Sequence, residues 1–441
     1  MLAAKYCNKE DIMDTAYYAG HYLEVFQIAQ LTGEIMLKNG AETYRVEDTI
    51  TRILKTTGFS QIEAFTTLTG MVISMSDPTI LPVTSVKRVQ NRSNHLRKVE
   101  MANDVSRRLV GGKLSVEDAL AELKEINTRP MNYPKYVVVP VCTLACGCFC
   151  LIFGGSLRDF LATLLVGTLY GCFTILTDRL SAISFIKDLL CAMIVGLFSV
   201  VFSYVIPIAE HMDLVIAGSI MPLVPGLVIT NAIRDTLYGD YLSGLARALE
   251  ACITAIVIAG GASLMIHGYE AICHVQLDGS SAAAWLYDPN GPFLQVSILI
   301  QLTASFFSAM SFCLFLNVSQ KHLLFCGLCG LVCWFFYKLG LYFHLESLPA
   351  TFFATLLTSF LAGRLAYLRK APATVFFAAS IINPVPGYGM YRFMFFLIGK
   401  EYETAAIVGI ETLECAALIA ISIAVQYSIQ SALHQRKRKK A

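Results

Sequence analysis

The sequence predicts an α-helical integral membrane protein: ten transmembrane helices arranged as two inverted five-helix repeats, preceded by a small soluble α+β domain. Three observations support this fold class. Hydrophobic residues make up 56% of the 441 residues and charged residues 15%, which is too apolar for a globular protein in water. The charges are concentrated at the start, because residues 1–135 hold 17 Lys and Arg and 16 Asp and Glu. A short motif also occurs twice, at residues 220–226 and 381–387.

The soluble domain is expected over residues 1–134. Apolar residues at helical spacing predict four helices, over residues 18–39, 43–57, 94–109 and 115–126. A stretch rich in Thr, Val and Ile predicts two short strands about Gly70 and a third near residues 83–89. Ser115 and Asp118 are spaced as a capping box at the start of the last helix. The first 18 residues lack the apolar core of a signal peptide, so we expect this domain in the cytoplasm.

Ten apolar stretches follow, each near the roughly 20 residues that cross a bilayer. They are residues 136–153, 160–177, 189–208, 214–233, 242–266, 293–316, 323–343, 348–368, 373–396 and 404–427. The first five define repeat 1 (135–267) and the last five define repeat 2 (293–428). An extracytoplasmic loop (268–292) is expected between them, and a basic cytoplasmic tail (429–441) after them.

The repeated motif defines the relation between the two halves. Residues 220–226 (IMPLVPG) and 381–387 (IINPVPG) align without gaps at an offset of 161, and Glu250 aligns with Glu411 at the same offset. Self-similarity at a fixed offset indicates a repeat architecture. Pro-Gly inside an apolar span is typical of a discontinuous membrane helix. Because each copy has five spans, an odd number, the second copy is expected to enter the membrane from the opposite side.

The placement of Lys and Arg supports the same topology. Loops that should face the cytoplasm carry basic residues, namely Arg179, Lys187, Arg234, Arg247, Lys321, Arg364, Arg369, Lys370 and residues 436–440. The loop over residues 268–292 contains three acids and neither Lys nor Arg, so it is expected outside. We therefore predict a multi-pass protein of the cell membrane with both termini in the cytoplasm. Arg158, Lys338, Arg392 and Lys400 depart from this pattern.

Two broken helices that meet near the midplane would expose helix ends to a small polar solute. The predicted substrate-binding residues surround the breaks: Pro225, Gly226, Asn231, Asn383, Pro386, Gly387, Tyr388, Tyr391 and Arg392. The alternative is that each Pro-Gly only kinks a membrane helix. A kink alone would not require the neighbouring polar residues to recur, and this favours a binding site.

Acids inside apolar spans are candidates for proton coupling. Glu411 and Glu414 are three residues apart, hence on one helix face, with no Arg or Lys within a turn. Glu250 has Arg247 one turn before it, so an ion pair is its alternative role. In the soluble domain, Glu42 and Arg45 lie in a dense polar stretch that is either a ligand or docking surface, or a solvated helix start.

The sequence gives little support for enzymatic activity, a metal site or a cofactor. The sequence has no phosphate-binding loop, no H-E-x-x-H and no G-x-S-x-G, so we expect no enzyme of those kinds. The pair Cys326 and Cys329 is interpreted as packing between helices and not as a metal site. No cofactor or metal is expected. No nucleic-acid partner is expected either, because the N-terminal domain balances its positive and negative charges and shows no basic stripe.

Five stretches together resemble the threonine/serine exporter family: residues 40–50 (GAETYRVEDTI), 63–70 (EAFTTLTG), 222–226 (PLVPG), 370–374 (KAPAT) and 383–387 (NPVPG). The resemblance implies a cytoplasmic domain, ten transmembrane helices, and export of small amino acids driven by protons, in a fused form of two smaller proteins. An exporter of dicarboxylates such as succinate is the alternative within transport, and a ligand sensor or channel is the alternative outside it. Formation of a homo-oligomer is left open.

Overall fold

The computed structural model describes residues 20–78, 80–90, 92–130, 133–177, 184–274, 296–384 and 386–440. The chain divides into two compact units. Unit 1 comprises Met1–Asn132, Asp235–Ser243 and Leu316–Ser319, and unit 2 comprises Tyr133–Arg234, Gly244–Phe315 and Gln320–Ala441. The N-terminal domain thus shares its unit with two short segments that come from much later in the chain. Most of the predicted extracytoplasmic loop lies outside the described residues.

Unit 1 contains the predicted α+β domain. Its elements are α1 (Tyr22–Lys38), α2 (Thr43–Lys55), β1 (Gln61–Thr67), β2 (Gly70–Asp77), β3 (Ile80–Arg88), α3 (Leu96–Val110) and α4 (Val116–Thr128). The strands pair antiparallel in the order β1-β2-β3, with Phe65 opposite Val72 and Val72 opposite Val86. This confirms the small three-stranded sheet that the sequence predicts at the N-terminal end.

Local chemistry explains where these elements begin and end. Gly40 and Gly58 have positive φ angles of 91° and 77°, which glycine adopts without strain after a helix. The hydroxyl of Ser115 accepts a hydrogen bond from the backbone N–H of Asp118 at 3.1 Å, as a capping box requires. A capping box also predicts that the Asp118 carboxylate accepts a hydrogen bond from the backbone N–H of Ser115. The structure differs here, because this carboxylate accepts from the Ser115 hydroxyl at 2.8 Å.

Every regular element in the described part of unit 2 is a helix. Its helices are α5 (Val138–Ile152), α6 (Leu157–Thr177), α7 (Ser184–Val200), α8 (Met212–Ile220), α9 (Gly226–Leu237), α10 (Tyr241–Cys273), α11 (Ile298–Phe315), α12 (Gln320–Tyr342), α13 (Ser347–Arg369), α14 (Ala373–Ile381), α15 (Gly387–Ile398) and α16 (Tyr402–Lys440). Seven stretches in the described part of the chain are long and apolar enough to cross a membrane: α6, α7 together with the π-helical turn Val201–Val205 that continues it, α10, α11, α12, α13 and α16. The chain is therefore a multi-pass membrane protein.

Each of the two spans with a Pro-Gly motif is two short helices. The first pair, α8 and α9, begins at residues 212 and 226, and the second pair, α14 and α15, begins at 373 and 387, which is 161 residues later in both cases. The helix ends of both pairs also differ by 161. Proline has no backbone N–H, so a continuous helix is disfavoured at both positions. The inverted orientation and the total of ten crossings remain predictions.

Candidate functional site

The two helix breaks pack directly against each other. A Cβ atom added to Gly387 would lie 2.6 Å from Cγ2 of Val224 and 3.7 Å from Cα of Gly226. Only glycine allows the two chain segments to approach so closely. The repeated Pro-Gly motif therefore brings one break from each half of the chain to a common centre within unit 2.

A small cavity lies among α8, α10 and α15, all in unit 2. Its volume is about 30 Å³, and it is lined by Met212, Asp213, Ile216, Ile266, Tyr388, Tyr391, Arg392, Phe395 and Phe396. A cavity of about 10–15 Å³ holds one water molecule, so this space admits roughly two or three waters and is too small for an amino acid. The cavity contains three residues that the sequence predicted for the site, Tyr388, Tyr391 and Arg392.

Two opposite charges face this cavity. Arg392 is only 5% exposed, and its guanidinium carbon lies 5.5 Å from the centre of the Phe396 ring, where a cation is stabilised by the ring face. Asp213, in the first turn of α8, is half-buried and interacts electrostatically with Arg392. One helix of each broken pair therefore supplies one charge.

An aromatic wall encloses the charged groups. The rings of Tyr388 and Tyr391 stack with centroids 5.9 Å apart, and Tyr391 contacts Phe395 at 5.8 Å. Phe153, at the end of α5, contacts Tyr388 at 5.7 Å. Aromatic rings exclude water, and electrostatic interactions with a bound solute are stronger in such a site than in water.

The structure places the two predicted asparagines elsewhere. Asn383 is buried, accepts a hydrogen bond from the hydroxyl of Ser308 at 2.6 Å, and donates to the carbonyls of Ser305 and Gly330, both at 3.3 Å. It thereby ties the second break to α11 and α12. Asn231 accepts a hydrogen bond from Nη2 of Arg234 at 2.9 Å. Neither side chain lines the cavity.

The predicted proton-coupling residues are also outside the cavity lining. Glu250 is half-buried on α10, Glu411 is half-buried on α16, and Glu414 is exposed on α16. The spacing of Glu411 and Glu414 does place them on neighbouring positions of one helix. Any contribution that they make to transport must therefore act at a distance from Asp213 and Arg392.

The polar stretch in unit 1 is more buried than the sequence suggested. Glu42 is buried and its Oε2 forms an ion pair with Nε of Arg45 at 2.8 Å, in the turn that starts α2. Burial raises the pKa of the Glu47 carboxyl above its usual value, and the charge of Asp240 acts in the same direction. Hydrogen bonds from Thr66 oppose this rise in pKa.

A cluster of Asp159, Glu210 and His211 is close enough to resemble a metal site. Its contacts give it another role. The buried carboxylate of Asp159 accepts hydrogen bonds from the backbone N–H groups of Glu210 and His211, both at 2.8 Å, and from that of Ser156 at 3.0 Å. Nδ1 of His211 lies 2.9 Å from its second oxygen. Asp159 therefore fixes the segment that leads into α8, two residues before Asp213.

The sequence interpretation missed Asp213. It lies immediately before the fourth predicted apolar span, where an acid is easily taken for a boundary residue. Two signals would have identified it: its position in the first turn of a helix that leads to the repeated motif, and the absence of a nearby Lys or Arg in the sequence. Arg392, the oppositely charged residue that lines the same cavity, lies 179 residues later in the sequence (392 − 213).

Comparisons with known proteins agree on one family. The family model described as "Putative threonine/serine exporter" matches residues 27–268, and the one described as "Threonine/Serine exporter, ThrE" matches residues 301–429. A probable threonine/serine exporter of Mycobacterium tuberculosis is 24% identical over 379 residues, which are 85% of this chain and 70% of that protein. The threonine/serine exporter of Corynebacterium glutamicum is 21% identical over 434 residues, covering 97% of this chain and 85% of that protein.

A second kind of relative matches only about half of the chain. A probable succinate transporter subunit, YjjP, of Escherichia coli is 24% identical over 235 residues, which are 52% of this chain and 88% of that protein. No solved structure matches this chain.

Proposed function

Since the chain belongs to the threonine/serine exporter family, we propose that it is a secondary active exporter of threonine and serine. Export would be coupled to proton entry, and access would alternate about the two broken helices. The substrate is a zwitterion, so a suitable site must offer one negative and one positive group in a space from which water is excluded.

The observation that supports this substrate class is the presence of both Asp213 and Arg392 in the lining of one cavity. The guanidinium of Arg392 would bind the substrate carboxylate through its planar fork. The carboxylate of Asp213 would accept hydrogen bonds from the substrate ammonium group. A dicarboxylate would place its second carboxylate beside Asp213, where like charges repel, so the cavity favours an amino acid over succinate.

The small volume of the cavity supports alternating access. At about 30 Å³ it is closed to threonine, so α8, α10 and α15 must separate for a substrate to enter or leave. In the predicted topology the two halves have opposite orientation in the membrane, and rocking of one half against the other would open the site to each side in turn.

Flux in proteoliposomes tests the proposed function. Labelled threonine is expected to move against its gradient when a pH gradient is applied, with saturable kinetics, and labelled succinate is expected not to move. Succinate transport would favour the dicarboxylate alternative, and a flux that does not saturate would favour a channel.

Proton coupling is proposed for Glu411 and Glu414, with Glu250 as the corresponding position of repeat 1. Glu411→Gln and Glu414→Gln keep side-chain size but cannot release a proton. We expect the double variant to exchange threonine down its gradient at a normal rate and to lose pH-driven accumulation. The matched control is Glu401→Gln, on the exposed loop before α16. Full pH-driven transport by the double variant would remove both residues from the mechanism.

Topology is tested by labelling single cysteines in a variant that lacks the native ones. A cysteine at Ser280, in the predicted outer loop, is expected to react with a membrane-impermeant thiol reagent in intact cells. A cysteine at Gln320, which is exposed at the start of α12, is expected to react only after the cells are opened. Labelling of Gln320→Cys in intact cells would contradict the inverted arrangement.

A further inference from the structure

Two short segments of unit 1 come from the links between helices of unit 2. The first linker is Asp235–Ser243, which comprises the last turn of α9, the loop to α10 and the first residues of α10, directly after the first broken span. The second linker is Leu316–Ser319, which joins α11 to α12 in the other half of the chain. Both belong to the same compact unit as the α+β domain.

The first linker is held by the start of α2. Oγ1 of Thr43 donates a hydrogen bond to Oδ2 of Asp240 at 2.8 Å. The ring of Tyr44 stacks on the ring of Tyr238, with centroids 4.9 Å apart and an interplanar angle of 22°. Thr43 is fully buried. The polar stretch at residues 40–48 thus uses two adjacent side chains to bind a segment of its own chain.

The second linker is held by the start of α3. The backbone N–H groups of Leu96 and Arg97 donate to the carbonyls of Leu316 and Asn317, at 2.9 and 3.2 Å. These are among the first amides of a helix, which have no acceptor inside the helix itself. The side chain of Asn317 returns a hydrogen bond to the carbonyl of Asn94 at 3.3 Å.

The conformation of the second linker matches this role. Asn317 is 4% exposed and has a φ angle of 50°, a left-handed conformation in which asparagine is one of the more common non-glycine residues. Its carbonyl and its side-chain amide therefore both point to the N-terminal end of α3. The linker carbonyls supply the acceptors that complete this helix end.

We propose that the N-terminal ends of α2 and α3 form a docking surface for these two linkers, so that the α+β domain clamps one linker from each half of the chain. This assigns the polar stretch at residues 40–48 a coupling role in place of a ligand site. Movement of the first broken span would be passed to the second half of the chain through the clamp, because one compact unit holds both linkers.

Cross-linking of the full chain tests the docking without reference to transport. In a variant without native cysteines, and with a protease site inserted after residue 284, we would introduce Arg97→Cys together with Ser319→Cys, at the half-buried end of the second linker, and add a short bis-maleimide. The two fragments are expected to stay joined after cleavage of the inserted site. The control replaces Arg97→Cys with Glu63→Cys, which is exposed on β1, and is expected to separate. Separation of both pairs, or equal joining of both, would overturn the docking surface.

A second experiment tests the coupling role. Thr43→Val with Asp240→Ala removes the hydrogen bond to the first linker, and we expect threonine turnover to fall by about fivefold, with KM unchanged, since no cavity residue is altered. The control is Asp48→Ala, on the exposed face of α2, where Asp48 pairs only locally with Arg52. Unchanged turnover in the double variant would overturn the coupling. If the wild-type protein carried no threonine, the cross-linking result would still decide the docking.

Discussion

Replacing Arg392 with glutamine is expected to reduce threonine transport sharply at substrate concentrations near the KM of the wild-type protein. The reason is that the substrate carboxylate loses a charged, bidentate partner in a site that excludes water. Hydrogen bonds to charged groups contribute about 1.5–3 kcal/mol each, so losing one raises KM by roughly 10- to 100-fold. Arg392→Lys keeps the charge without the planar fork and is expected to be intermediate. Labelled threonine uptake into inverted vesicles measures both effects.

A matched control distinguishes the loss of a positive charge at the cavity from the loss of one at the surface. Lys400 is exposed just beyond α15, and Lys400→Gln is expected to leave KM unchanged.

The double variant Asp213→Asn with Arg392→Gln distinguishes a role in substrate binding from a role in stabilising the fold. If the two charges only stabilise the fold, removing both leaves no unpaired charge and should restore transport. If they bind the substrate, as proposed, the double variant stays inactive. Recovery of transport in the double variant would contradict the assigned roles.

Asn383→Leu is expected to cause the largest loss of stability among single changes at the second break. The side chain makes hydrogen bonds to Ser308, Ser305 and Gly330, and all of them would be lost in a buried site. At about 1 kcal/mol for each hydrogen bond, the cost is roughly 3 kcal/mol. The apparent melting temperature of the detergent-solubilised protein, followed by size-exclusion chromatography after heating, measures the change.

Ser308→Ala is the comparison for this prediction. It removes one of the hydrogen bonds and is expected to cost about 1 kcal/mol, so its melting temperature should lie between those of the wild type and Asn383→Leu. Another outcome would support the sequence prediction that Asn383 binds the substrate. If Asn383→Leu melts at the wild-type temperature but loses transport, its side chain contacts the substrate and does not simply support the break.

The sequence predicted the broken helices well because the information is local. Pro225 and Pro386 each disfavour a continuous helix, and the constant offset relates the two sites before any contact is known. The same reasoning identified Arg392 through its position beside the second break. Its burial was not predicted, because a basic residue near the end of a predicted span is usually solvated.

The partners of buried polar groups could not be predicted in this way. Asn383 bonds to backbone carbonyls of α11 and α12, and any residue type supplies a carbonyl, so the sequence contains no signal for the contact. The second linker, held by α3, presents the same difficulty, since Leu96 and Arg97 bind it through backbone N–H groups that donate to backbone carbonyls. Side-chain patterns predict helices and strands, whereas hydrogen bonds made through the backbone become visible only in the folded structure.

The small cavity among α8, α10 and α15 also affects how affinity should be interpreted. If the form with this small cavity dominates without substrate, the measured dissociation constant is the intrinsic one divided by the small fraction of molecules that are open to the substrate. A weak apparent affinity would then reflect the rarity of the open form more than poor contacts with the solute. For an exporter this has a benefit: the cytoplasmic pool is drained only when it is high enough to overcome that conformational cost.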